Sequence, residues 1–177
     1  MRRKEKDYRN SNSKYKPAMM NIADILLVMI VLVAFAMISI FGHQTFSLIN
    51  DDIQSDADLS TTAKTTSSNL EARYPATLDG AFAIMFVLFW IFLIVSSFLI
   101  DSHPIFFIIS IILLLGAFVV AMVLSNSYQE LMSDSDISSF GDQFPITNFI
   151  IGNLLLVVIA IGFSVVIVLY GKNKWSA

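Results

Sequence analysis

The chain has 177 residues, no cysteine, 56% hydrophobic residues and only 14% charged residues, against roughly 25% charged in an average soluble domain. Its formal net charge is −3, with two histidines. That balance excludes a soluble globular protein, and the missing cysteines exclude disulfides, thiolate metal sites and a cysteine nucleophile.

The expected class is an all-α integral membrane protein with four transmembrane helices in two hairpins and both termini in the cytoplasm. Residues 1–17 form a basic tail, with Arg2, Arg3, Lys4, Lys6, Arg9, Lys14 and Lys16 against Glu5 and Asp7. The first span is expected over 18–42, uncleaved, because the apolar run is longer than a signal core and lacks a small-residue cleavage site. Residues 43–79 form an outer loop, followed by a second span over 80–100 and a cytoplasmic turn at 101–103. The third span covers 104–124, a second outer loop 125–145, the fourth span 146–170 and a short cytoplasmic tail 171–177. Each span has about 20–25 residues, and roughly 20 cross 30 Å of hydrocarbon at 1.5 Å per residue. No alternating ten-residue segments appear, as a membrane barrel requires.

Charge sets the expected orientation. Nine of the eleven basic residues fall in the two tails, while the segments 43–79 and 125–145 are both net acidic. Cytoplasmic segments carry the excess of Lys and Arg, so both tails are placed inside and both long loops outside. Tyr15, Tyr170 and Trp175 stand where aromatic anchors belong.

The two loops share a motif, Ser55-Asp-Ala-Asp-Leu-Ser60 and Ser133-Asp-Ser-Asp-Ile-Ser138. A duplicated hairpin would explain it, but the second and fourth spans do not align without a gap, and chance remains the simpler account. An EF-hand loop needs Gly at its sixth position and Glu at its twelfth. Counting from Asp56 these are Thr61 and Ser67, and from Asp134 they are Ser139 and Pro145. Helix capping by Asp58 or Ser60, and by Asp134 or Asp136, is the better reading. Phe46, Ile49, Ile53 and Ala57 recur at helical spacing, which predicts that the first helix runs outward or that a helix lies on the membrane surface. Pro75, Asp79 and Gly80 are expected to end the loop and start the second span. His43 is expected at the outer interface, facing water.

Polar residues within spans are the first place to look for function. Asp24 is the one acid inside a predicted span and reads most simply as a group near the headgroups, satisfied by water or the basic tail. Asn148, Gly152, Asn153, Gly162 and Gly116 read as helix-packing residues, since small residues let helices approach and an amide bonds across the contact. Asp24, Asn148 and Asn153 are the residues to test for a pore. Walker, dinucleotide and nucleophile-elbow motifs are missing, as are spans broken by glycine or proline at mid-membrane. These features point away from an enzyme or transporter, and no cofactor or metal is expected.

The basic tail is the expected contact with anionic lipid or an acidic partner, and at most a nonspecific contact with nucleic acid. Claudin and tetraspanin patterns need outer-loop cysteines, which are lacking. With its short length, a basic arm ending at Lys14-Tyr-Lys-Pro17 and tight helices joined by Asp101-Ser-His-Pro104, the chain resembles in layout the small multi-pass proteins of icosahedral double-stranded DNA viruses with a membrane beneath the capsid. The resemblance implies a non-enzymatic structural protein in the host cytoplasmic membrane or the virion internal membrane, tying lipid to a protein shell, with membrane proteins, capsid proteins or its own copies as partners. The alternative is a small oligomeric ion channel or a holin-like protein.

Overall fold

The computed structural model describes residues 22–99 and 104–175. The basic tail and the 101–103 turn lie outside the described residues. Asp24 falls in the first turn of the first helix, and its side chain is also outside them. Six helices follow in order: α1 (Ile22–Ser55), α2 (Thr61–Leu99), α3 (Pro104–Met132), α4 (Ser135–Gly141), α5 (Pro145–Gly152) and α6 (Leu154–Trp175). No strand occurs among the described residues.

Among the described residues, three helices are long and apolar enough to cross a membrane, and four if the bent pair α5 and α6 counts as one span. In the most apolar windows of α2 and α3 only 22% of residues are buried. Ile84, Leu88 and Phe92 on α2, Ile112 and Val119 on α3, and Phe163 and Ile167 on α6 all point outward. Helices apolar on their outer faces as well as their inner ones need lipid around them.

The four long helices form a ring: α1 lies beside α2, α2 beside α6, α6 beside α3, and α3 beside α1. Ala36, Ala117 and Ala121 are fully buried in this bundle, together with Phe82, Leu93, Ile151 and Leu154. The two short helices sit at one end. There α4 packs on α1 and α3, while α5 packs on α1, α2, α3 and α6. The segments that link α1 to α2 and α3 to α6 therefore lie toward the same end of the bundle.

The expected loop over 43–79 is mostly helix. α1 runs on to Ser55 and α2 starts at Thr61, so Phe46, Ile49 and Ile53 lie on a direct continuation of the first span, while Ala57, expected on the same helix, falls in the turn beyond it. At 1.5 Å per residue, the 39 residues of α2 reach about 58 Å, close to twice the hydrocarbon thickness. α2 passes straight through Pro75, where a helix boundary was expected. A helical proline removes one backbone hydrogen bond at a cost of about 3 kcal/mol, and here packing against α1 offsets it. Tyr74 stacks on Phe46 at 5.9 Å, and Phe35 stacks on Phe82 at 6.2 Å. The Asn50 amide donates to Glu71 Oε2 at 2.5 Å. Gln54 Nε2 donates to the Lys64 carbonyl and Lys64 Nζ to the Gln54 carbonyl, each at 2.9 Å, closing the hairpin tip.

The shared hexapeptides make the same side-chain-to-backbone turn. The Asp58 N–H donates to Asp56 Oδ1, and the Asp136 N–H donates to Asp134 Oδ1, both at 2.9 Å. Asp134 is thereby the N-cap of α4, and Ser60 Oγ accepts from the Ala63 N–H at the start of α2. The same 78-residue offset carries buried Ser39, His43 and Asn50 onto buried Ala117, Ala121 and Tyr128. The two hairpins part within their hexapeptides: α4 begins at Ser135 inside the second, whereas the first stays a turn until α2 begins at Thr61, and the return to α6 is broken into α4 and α5.

The fourth span is the clearest departure from expectation. The apolar run 146–170 is not one straight helix. It breaks at Asn153, and α5 is bent from α6 by 74°. The physical signals are Pro145, which fits a first helical position, and Gly152-Asn153, a helix-stopping pair.

Candidate functional site: a polar fastening at one end of the bundle

One cluster of polar side chains converges around α5. Its N-terminus poses a specific problem, because the leading N–H groups of a helix have no partner within it. Phe144 stands at the N-cap and has no side-chain acceptor. Pro145 has no N–H to satisfy. The next two groups are taken by a carboxylate 67 and 68 residues away in sequence: the Ile146 N–H donates to Asp79 Oδ2 at 3.0 Å, and the Thr147 N–H to Asp79 Oδ1 at 2.7 Å. Thr147 Oγ1 donates to the same Oδ1 at 2.8 Å. The Asn148 N–H then reaches the Phe144 carbonyl at 2.9 Å. Every N–H of the first turn is thus accounted for. Asp79 is only 4% exposed, and a carboxylate at a helix N-terminus also meets the favourable end of the helix dipole.

The other end of α5 is held from α3. The Gly152 carbonyl accepts from Ser125 Oγ at 2.7 Å and from Gln129 Nε2 at 2.6 Å. Between the two ends, Asn148 links three helices. Its Nδ2 donates to the Gly141 carbonyl at the end of α4, at 2.7 Å, and its Oδ1 accepts from the Tyr128 hydroxyl on α3.

A third contact ties this assembly to α1. His43 is 2% exposed, so the expectation that it faces water is corrected. Its ring stacks on Tyr74 at 5.6 Å and meets Phe140 and Phe144 edge-on. Nε2 lies 3.1 Å from Gln143 Oε1, while Nδ1 is buried with no hydrogen-bond partner. Burial wins here because three aromatic rings from α2, α4 and the α4–α5 turn close over the imidazole. Gly42 makes room for the arrangement, since a Cβ there would overlap the Tyr74 hydroxyl.

Of the residues singled out by sequence, Asn148 and Gly152 lie in this fastening. Gly162 lies at the α3–α6 contact, where an added Cβ would fall 2.7 Å from Leu114 Cδ1. Gly116 does not pack: it is exposed, and a Cβ there would meet open space. Asn153 is also exposed, and its amide donates to the Phe149 carbonyl one turn back at 2.9 Å rather than to another span. The sequence reading missed Asp79, Tyr128, Gln129 and Ser125. Asp79 looked like one more loop acid, although its place at the start of an apolar run was a signal of burial.

No family model, curated protein or solved structure matches this chain. The reading of the site therefore rests on its own geometry. That geometry is one of matched donors and acceptors within a single chain: a carboxylate meets three donors, one amide carbonyl meets a phenol, and one backbone carbonyl meets two side chains. Such an arrangement immobilises helix ends and fixes where the chain turns.

Proposed function

We propose that this chain is a non-enzymatic structural membrane protein. In this reading it forms a rigid four-span bundle with both termini in the cytoplasm and acts through its exposed segments within a larger assembly. The observation that carries the reading is the commitment of Asn148, with both amide atoms bonded inside the chain. Side chains engaged in this way hold helices together and are not free to coordinate a passing ion or substrate. The contact segment is the tail at 1–17, whose seven basic residues suit anionic headgroups, at about 1 kcal/mol each near the surface, or an acidic partner. A virion membrane protein tying a bilayer to its shell is the most specific form of this reading, supported by the layout of the chain.

The test is purification in mild detergent from the native source, for the full chain and for one lacking residues 1–17. The reading predicts recovery in a large particle with shell proteins, lost on deletion of the tail. Recovery of both chains as the same small homo-oligomer, free of other proteins, would contradict it.

A second reading, a small oligomeric ion channel or holin-like protein, is favoured by one observation. The 74° break between α5 and α6 resembles the discontinuous spans that present helix ends to ions in transporters. Its residues to test are Asp24, Asn148 and Asn153.

A further inference from the structure

We infer that α5 lies in the plane of the membrane boundary and inserts Phe149 and Ile146 into lipid, between the headgroups and the acyl chains. The partner for this face is the bilayer itself. The inference rests on the long helices crossing a bilayer and not on the structural role proposed above, so its failure would leave that role standing.

The length of the fourth apolar run is the first argument. From Leu154 to Tyr170 it has 17 residues, about 26 Å of helix, which reaches the lower end of the range that spans hydrocarbon. By length, then, the run 154–170 can complete the fourth span with α5 as its bent entrance rather than as part of the crossing. The eight residues of α5 are about 12 Å long, and at 74° from α6 they add only ~3 Å of depth. A helix so placed runs along a boundary rather than through it.

The faces of α5 are divided. Thr147, Ile150 and Ile151 point into the bundle. Phe149 is 68% exposed and Ile146 42% exposed on the outside. On α6, Leu156 and Phe163 are likewise exposed, so both helices carry an apolar outer surface, with exposed Asn153 at the bend between them. Asp142 and Gln143, just before α5, are exposed and polar. α5 lacks the charged face of a free interfacial helix because its inner face packs on the bundle; its outer face alone is offered to the boundary between headgroups and acyl chains.

α5 is also restrained. The N-terminus of α5 is held by Asp79 on α2 and its C-terminus by Ser125 and Gln129 on α3. A helix fixed at both ends keeps Phe149 at one depth, so α5 sets how far the bundle sits in the bilayer.

The chain has no cysteine, so Phe149→Cys introduces a single thiol for a nitroxide label. The labelled protein, reconstituted in phosphatidylcholine vesicles, is probed by collision with oxygen, which concentrates in the bilayer, and with a water-soluble nickel chelate. Ala57→Cys, exposed in the α1–α2 turn, serves as the aqueous standard, and Phe163→Cys as the deep standard. The ratio of oxygen to nickel accessibility at position 149 is expected to fall between the two standards. A ratio equal to that of position 57 would place α5 in water. One equal to that of position 163 would place it in mid-hydrocarbon. Exclusion of both reagents with spin–spin broadening would show a second copy covering the face. Each of these three results overturns the inference, and Ile146→Cys gives an independent reading of the same face should the label at position 149 disturb the fold.

Discussion

Asp79 and Thr147 are joined by two hydrogen bonds to one carboxylate oxygen, at 2.7 and 2.8 Å, across 68 residues of chain. The pair connects the start of the apolar half of α2 to the first turn of α5. It does what a local N-cap does elsewhere, but from another helix, and so the direction of a short helix depends on the packing of a long one.

Replacing Asp79 with Ala leaves two backbone N–H groups and one hydroxyl without their acceptor in a buried position. The expected loss is about 2–4 kcal/mol, since hydrogen bonds to a charged group contribute ~1.5–3 kcal/mol and an unmet buried donor is costly. Asp79→Asn keeps an oxygen for Thr147 and loses the bond to Ile146, so its expected loss is about half as large. Unfolding in detergent micelles measures both. Equal stability of Asp79→Ala and wild type would show that α5 is not held in this way.

Tyr128 and Asn148 should be energetically coupled. Removing the hydroxyl in Tyr128→Phe and the amide in Asn148→Ala each destabilises the bundle, and a double-mutant cycle should return a coupling of about 1–2 kcal/mol. Strictly additive effects would mean that the two side chains do not bond.

The glycines separate by what stands opposite them. Gly42→Ala drives a methyl into the Tyr74 hydroxyl and should cost about 1–3 kcal/mol, because a ring stacked between His43 and Phe46 yields poorly. Gly162→Ala meets only the tip of Leu114 and should cost less. Gly116→Ala meets open space and should raise stability by up to ~1 kcal/mol through helix propensity. Unfolding midpoints of the three variants give the order, and a Gly116→Ala variant less stable than Gly42→Ala would contradict it.

His43 tests whether shape or polarity matters at the α1 contact. With Nδ1 already without a partner, His43→Phe forfeits one bond to an exposed glutamine and keeps the ring, so it should change stability by less than about 1 kcal/mol. His43→Ala empties a site among three aromatic rings and should cost about 2–4 kcal/mol. A large loss in both variants would show that the imidazole makes a polar contact beyond the one to Gln143.

Much of the layout was legible in the chain because hydrocarbon imposes long apolar runs. Local capping was also legible: Ser60 and Asp134 hold helix starts as their spacing suggests. What escaped was long-range. Asp79 and Glu71 read as solvated loop acids until α1 and α5 are brought beside them. His43 reads as exposed until Tyr74, Phe140 and Phe144 close over it. The break at Asn153 was marked by Gly152-Asn153, but seventeen apolar residues beyond it made the whole run look like one span. Pro75 misled in the opposite sense, because tertiary packing carried α2 through a residue that normally ends a helix.

The central claim is that the polar groups at this end of the bundle fasten the chain and do not line a path. Ion flux through vesicles reconstituted with the purified wild-type protein tests it most directly. The account predicts flux no greater than that of empty vesicles. Flux well above that background, and reduced by Asp24→Asn or Asn153→Ala in variants that keep the wild-type size profile, would contradict it.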